Sequence, residues 1–270
     1  MIALGIVPLW AAVILVQAEA PIPDVASFLK VVQSHQHEMD SIRENYTFHR
    51  MRKVEQVDSN GTVKGTETFE REVFFVNGRQ IGRLVKRNGV ALSAHDAKSE
   101  DERLRKQVER VMKAPVQQGG RNGLVAAILS ATKTSNPRRI VQNGRSTLAY
   151  DFAGDPAAKL VNPNDLQKAA KKMSGSIWFD EMDRQVARVE IHLAENLNIG
   201  GGLLASFHKG STMVLEQSPV GQGLWMQTAN EQYVDIRVVV KSIRERVRVE
   251  DRDFKRFDVE TLHTVGAPVH

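Results

Sequence analysis

The sequence predicts an α+β fold built mainly from antiparallel strands gathered into one curved sheet, with helices covering it. Three observations carry that prediction. From Ser174 to Phe257 apolar and polar residues alternate, as where Ala187, Val189, Ile191 and Leu193 are interleaved with Arg188, Glu190 and His192. Period two marks a strand with one buried and one wet face. Asn-Gly pairs at 60–61, 77–78, 88–89 and 143–144 separate strand-like runs, and this pair accepts the positive φ that closes tight hairpins. Helical segments then interrupt the strands, one of them apolar almost all round, as a helix covering the sheet would be. With 41% hydrophobic residues in 270, the chain carries enough apolar side chains for one sizeable core, and a single domain over residues 21–270 is expected.

The first twenty residues read as an export signal. Ile2 to Val16 is apolar and Ala18-Glu19-Ala20 is a small-x-small site before Pro21, so cleavage after Ala20 and a periplasmic location are expected. No Lys or Arg precedes the run, and a retained anchor is the alternative, although the run is shorter than the ~20 residues that span a bilayer. The chain has no cysteine, which excludes disulfides, thiolate chemistry and thioether lipidation. A net charge of +5 permits anionic partners. Basic residues are interleaved with acidic ones, however, so nucleic-acid binding is not expected, and membrane contact is expected to be transient at most. No cofactor is implied, and a monomer is expected.

Asp24 can cap a first helix in which Val25, Phe28, Val32, His35, Met39 and Ile42 share one face. His35 and His37 lie two apart, about 200° around a helix, and are read as structural residues instead of metal ligands. Strands are expected at Tyr46–Val57, Thr66–Val76, Arg79–Lys86 and Val90–Ser93. A helical lid follows over about residues 96–133. Ser99 with Glu102 reads as a capping box for a helix bearing Leu104, Val108, Val111 and Met112 and ending before Pro115. The loop with Gly119, Gly120 and Gly123 leads to a second helix, Leu124 to Thr132, apolar almost all round and therefore buried on most sides. The glycines are either hinges or plain turn residues.

Arg139–Gln142 and Ser146–Phe152 form the next hairpin, and Asn162-Pro163 opens an inserted short helix over about 162–174 through Leu166, Ala169 and Met173, with Gly175 just after it. Short strands surround Phe207 and Met213 to Leu215. In the final run, Gln232 to Glu250, apolar residues occupy even positions up to Val240 and odd positions from Ile243. A β-bulge near Lys241-Ser242 would keep one face inward across that change.

The segment Gly175-Ser176-Ile177-Trp178-Phe179-Asp180, with Arg188-Val189-Glu190 after it, resembles the periplasmic lipoprotein carriers of the LolA/LolB type. Gly200 to Leu204 and Gly223-Leu224-Trp225 are similar to segments of secreted outer-membrane lipoprotein-sorting-like proteins of unknown function. The resemblance implies an incomplete half β-barrel of about eleven strands with helices over its apolar mouth. It also implies binding of acyl chains or hydrophobic peptides, with no chemistry and no cofactor. Met226-Gln227 stands where members often carry a proline, and the 162–174 helix is an insertion relative to the dedicated carriers.

The expected function is therefore a non-enzymatic carrier holding a lipid or acylated lipoprotein in the concave face. Phe48, Phe75, Ile191, Leu193, Met213, Leu215, Ile236 and Val238 would line its cavity, and Leu124, Ile128 and Leu129 would form its lid. The alternative is an envelope interaction or sensor module docking a protein partner through its sheet, with Arg244, Arg246 and Arg248 as the candidate docking surface. No Gly-x-Ser-x-Gly, His-Glu-x-x-His or phosphate-loop motif is present. Asp180 and Asp183 read as turn formers.

Overall fold

The computed structural model describes residues 21–25, 28, 31–32, 42–115, 122–199, 204–221 and 223–257. Its strands are β1 (Tyr46–Val57), β2 (Val63–Val76), β3 (Arg79–Arg87), β4 (Val90–Ala91), β5 (Thr132–Gln142), β6 (Arg145–Gly154), β7 (Met173–Asp180), β8 (Val186–Leu193), β9 (Leu197–Ile199), β10 (Ala205–Phe207), β11 (Thr212–Gly221), β12 (Leu224–Val238) and β13 (Lys241–Arg256). Three helices lie between them: α1 (Ala94–Lys113), α2 (Asn122–Ala131) and α3 (Asp165–Ala170).

Eleven strands form one continuous open sheet in the order β4-β3-β2-β1-β13-β12-β11-β8-β7-β6-β5, and short β9 and β10 attach beside β12. The pairings are antiparallel, and the last strand, β13, inserts between β1 and β12. Three of the four Asn-Gly turns take positive φ at both residues, while at 60–61 only Gly61 does, at 79°. Asn77 and Gly78 take φ 48° and 74°, Asn88 and Gly89 take 50° and 77°, and Asn143 and Gly144 take 51° and 76°. Two consecutive positive φ values match the right-handed twist of the flanking strands.

The main core lies on one face of β6, β7, β8 and β11. Leu148, Tyr150, Phe152, Ile177, Phe179, Val189 and Ile191 of the sheet meet Phe28 and Val32 from the N-terminal segment and Val125, Ile128 and Ala131 of α2. Val25 packs against the same core, and Ile42 joins a second cluster around Phe48 and Leu224. His35, His37 and Met39 fall outside the described residues, as do Gly119, Gly120 and Gly200 to Leu203.

Four local expectations need correction. The final run is a hairpin and not one bulged strand: Val238 pairs with Lys241, and Val239 turns at φ 55°. A tight turn that consumes Val239 and Val240 shifts the apolar phase as a bulge would, and neither residue advertises a turn. Helix α1 begins at Ala94, where the Ser93 side chain accepts from the Asp96 amide at 3.1 Å, so the Ser99 and Glu102 pair lies inside the helix. Its Met112 is 65% exposed. The inserted helix spans only Asp165–Ala170 and is capped reciprocally by Asn164 and Gln167, while Met173 already belongs to β7. Gly175 is not a helix cap but a strand residue.

Gly175 sits where β7 meets β8, and a Cβ there would lie 1.9 Å from the Glu190 carbonyl oxygen and 3.0 Å from Phe152. The neighbouring backbone would have to move. On the other face of β6 the Asp151 carboxylate accepts from Ser176 at 2.6 Å and Asn136 at 3.0 Å and pairs with Arg138 at 2.9 Å. The Ser176 hydrogen bond first, then that of Asn136, lower its pKa to about 2. At the β7–β8 turn, burial raises the Asp180 carboxyl, but Arg145 and the backbone amides of Asp183 and Met182 outweigh it and hold it below its ordinary value. Its oxygens receive Arg145 at 2.6 and 2.9 Å and the Asp183 amide at 2.7 Å, a turn-forming role.

Two expected outcomes follow from this packing. Gly175→Ala should lower stability by on the order of 3 kcal/mol through backbone overpacking, whereas Gly123→Ala, where a Cβ meets nothing within 4 Å, should raise it by up to about 1 kcal/mol. Denaturant titration of both variants checks this, and equal effects would refute it. Because the Asp151 carboxyl is depressed in the folded state, its contribution is present above its ordinary 3.8 and is lost as pH falls toward about 2. Asp151→Asn should therefore flatten the acid limb of the stability curve between about pH 4 and pH 2 and leave its slope near pH 7 unchanged.

Candidate functional site

Directly opposed residues of neighbouring strands share a face, so the core face can be followed across the whole sheet. Ile191 opposes Met213, Met213 opposes Gln232, and Gln232 opposes Val247, which opposes Val54. Two residues along, Leu215, Asn230, Val249 and Arg52 repeat the row. In β1 the inward series is therefore Phe48, Arg50, Arg52, Val54. An apolar stripe is broken by two arginines.

Those arginines open onto a cavity of about 670 Å³ lined by Arg50, Arg52, Arg71, Val73, Gln80, Gly82, Leu84, Arg87, Glu100, Arg103, Gln107, Gln227, Asn230, Gln232 and Val249. The strands β1, β2, β3, β12 and β13 supply its floor, and α1 supplies its rim. Helix α1 lies along the edge of β3, where the Glu100 carboxylate accepts the Leu84 amide at 2.7 Å and Arg103 donates to the Gly82 carbonyl at 2.8 Å. The helix thereby satisfies backbone groups that a bare sheet edge would leave open. Glu100 is the helix's buried residue, because its carboxylate does the docking. Burial raises its pKa, but Arg103 and the Leu84 amide outweigh that and hold it low.

Two of the five arginines are held by acids. Arg50 donates from Nε and Nη2 to both Asp251 oxygens at 2.6 Å each, and the Asp251 side chain is 1% exposed. Arg103 reaches Glu100 at 2.6 and 2.7 Å. Arg52, Arg71 and Arg87 have no carboxylate partner within ion-pairing distance among the described residues. Arg71 and Arg87 lie over the Phe69 ring at 5.2 and 5.6 Å. Burial, then the charge of Arg52, pushes the half-buried Arg71 guanidinium below its ordinary pKa against the opposing charge of Glu100, with Arg103 and Arg50 adding to the lowering.

The residues expected to line one apolar cavity are dispersed. Ile191 and Met213 belong to the main core with the expected lid residues Leu124, Ile128 and Leu129. Phe48 and Phe75 belong to a second cluster, with Phe254 stacked 5.3 Å from Phe48. Leu193 and Leu215 are buried, Ile236 is half-buried opposite Ile243, and Val238 is 39% exposed at the β12–β13 turn. None of these eight borders the arginine cavity. Of the expected lid residues, Ile128 is fully buried on the sheet while Leu124 and Leu129 are half-buried against the same core.

Arg244, Arg246 and Arg248 do occupy the opposite face. There they are interleaved with acids: Arg244 pairs with Asp235 and Arg248 with Glu231, each at 2.8 Å, and Arg246 opposes Glu55 and Tyr233. A cavity of about 480 Å³ on that side has Lys53, Arg246 and Arg248 offset by Glu55 and Glu231. No cluster of three or more metal-ligating His, Asp or Glu side chains occurs among the described residues.

The arginine cavity was absent from the sequence reading. Its one local signal is Arg50 and Arg52 at inward positions between Phe48 and Val54. Arg71, Arg87 and Arg103 come from elements whose placement depends on strand pairing.

No family model matches the chain, and no curated protein matches it in sequence. Among solved structures it resembles a LolA superfamily protein from Nitrosomonas europaea, at 13% identity and TM-score 0.35, over 86% of this chain and 97% of that one. It also resembles an outer membrane lipoprotein-sorting protein domain from Vibrio parahaemolyticus, at 7% identity and TM-score 0.39, over 91% of this chain and 95% of that one. A DUF1329 family protein from Desulfovibrio piger aligns at 8% identity and TM-score 0.32, over 88% of this chain and 94% of that one. At these identities the alignments give no residue-by-residue correspondence with the arginine cavity.

Proposed function

We propose that the protein is a non-enzymatic binding module of a bacterial cell envelope that takes its ligand on the helix-bearing face of the sheet. The observation that carries this reading is the division of that face. Its β6–β8 part is packed under α2 and the N-terminal segment, whereas its β1–β3 part is open as a cavity of about 670 Å³, within the ~300–1,000 Å³ range of small-molecule sites. The apolar run ahead of Pro21 supports export to a periplasm. Lipid or lipoprotein acyl chains are the cargo class, lying against the apolar half, with α2 as the element that gives way. Leu124 and Leu129 are half-buried, so α2 already presents partly accessible apolar side chains beside the core.

Native mass spectrometry with lipid extraction, on protein purified from a periplasm, tests the reading. A stoichiometric lipid or acyl-peptide mass is expected. Leu129→Gln should weaken uptake of a fluorescent fatty acid several-fold while retaining the fold, whereas Ile128→Ala, at a fully buried site, should cost about 3 kcal/mol of stability. A clean apo mass together with no fatty-acid uptake would overturn the cargo assignment.

A further inference from the structure

The arginine cavity has a charge arrangement that its own described side chains do not balance. Arg50 and Arg71 are directly opposed across β1 and β2, and Arg52 lies one step diagonally from Arg71. Like charges placed this way destabilise a sheet. Arg50 is neutralised by Asp251, but Arg52, Arg71 and Arg87 have no carboxylate partner among the described residues, and Glu100, the one acid among the described lining residues, is engaged by Arg103. Room is made for this crowding at Gly82. A Cβ there would meet Arg71 Cδ at 3.0 Å, so the missing side chain lets the Arg71 stem lie across β3.

The lining also selects the ligand. Among the described residues its apolar members are Val73, Leu84 and Val249, too few to hold an acyl chain. Three unpaired guanidiniums exceed the charge of one carboxylate and match a multiply charged oxyanion, whose oxygens accept the parallel N–H pairs of a guanidinium fork. We infer that this cavity is a binding site for a phosphorylated ligand, a phosphate ester or phosphoanhydride gripped by Arg52, Arg71 and Arg87. The inference rests on the helix-bearing face being the binding surface, but not on the cargo being apolar. The same phosphoryl chemistry is offered by a soluble phosphate compound and by a lipid headgroup.

Calorimetric titration of the full chain with inorganic pyrophosphate, and with succinate as a dicarboxylate, tests the site. Arg52→Gln and Arg71→Gln should each weaken pyrophosphate binding about tenfold or more, and Arg248→Gln, the same charge change on the opposite face, should leave it unchanged. Arg71→Gln should also keep or raise the thermal midpoint, because it removes a half-buried, repelled cation. That result separates lost binding from lost folding. Sedimentation with phosphatidic acid vesicles identifies the source: vesicle binding lost in Arg52→Gln and Arg71→Gln indicates a lipid phosphate, and vesicle binding that is absent or unchanged in them indicates a soluble one. The site is overturned if pyrophosphate gives no saturable binding, if succinate binds as tightly, or if Arg248→Gln weakens binding as much as Arg71→Gln does. Failure of fatty-acid uptake would leave this titration unaffected, so the two readings fail separately.

Discussion

The structure depends on where its last strand goes. β13 inserts between β1 and β12, joining the N-terminal meander to the C-terminal strands in one sheet. Without that insertion β1–β4 and β5–β12 would be two smaller sheets with open edges. The long-range pairing is reinforced by Arg50 and Asp251, 201 residues apart, in a bidentate pair with the carboxylate almost fully enclosed. Breaking one member of such a pair costs far more than the pair contributes relative to an apolar substitute, because the remaining charge is stranded.

Insertion of β13 also divides the helix-bearing face. On the β6–β8 side, large apolar residues from both strands and helices exclude water. On the β1–β3 side, helix α1 lies along the strand edge and does not cover the face, since its docking runs through Glu100, Arg103 and backbone groups of β3. A helix attached by a carboxylate at an edge cannot also fill the floor with hydrophobes. The cavity is the space that this mode of attachment leaves, and its polarity follows from the arginines that β1 and β2 place there.

Much of the architecture was legible in local sequence. Tyr46–Val57 spans β1 as expected, and the Asn-Gly turns fall where their backbone preferences put them, because turn chemistry acts over two residues and needs no tertiary context. The almost wholly apolar segment from Leu124 was legible as a helix buried on most sides for the same reason, its composition leaving little wet face beyond Ser130. The β12–β13 turn was not legible. Val239 adopts a left-handed conformation that β-branched residues avoid, and it is held there by the long pairing of β12 with β13 on either side and by its amide donating to the Leu204 carbonyl at 3.1 Å. The start of α1 was misplaced because Ser99 and Glu102 satisfy the capping pattern as well as Ser93 does in isolation; β4 ending at Ala91 decides between them.

The candidate site lies at the far end of that scale. Sequence alone determined that the chain alternates, turns, and carries one apolar plug, since periodicity and composition are properties of neighbouring residues. The inward-facing apolar residues were identified one by one, yet which of them meet was decided by strand order, which placed Ile191 under α2 and Phe48 in a different cluster. The arginine cavity was decided by tertiary structure almost entirely. Arg52 and Arg71 become neighbours through the β1–β2 register, Arg87 through the β2–β3 register, and Arg103 through docking of α1 on a strand edge. Charge repulsion depends on distances in space, and those distances exist only once the sheet has formed.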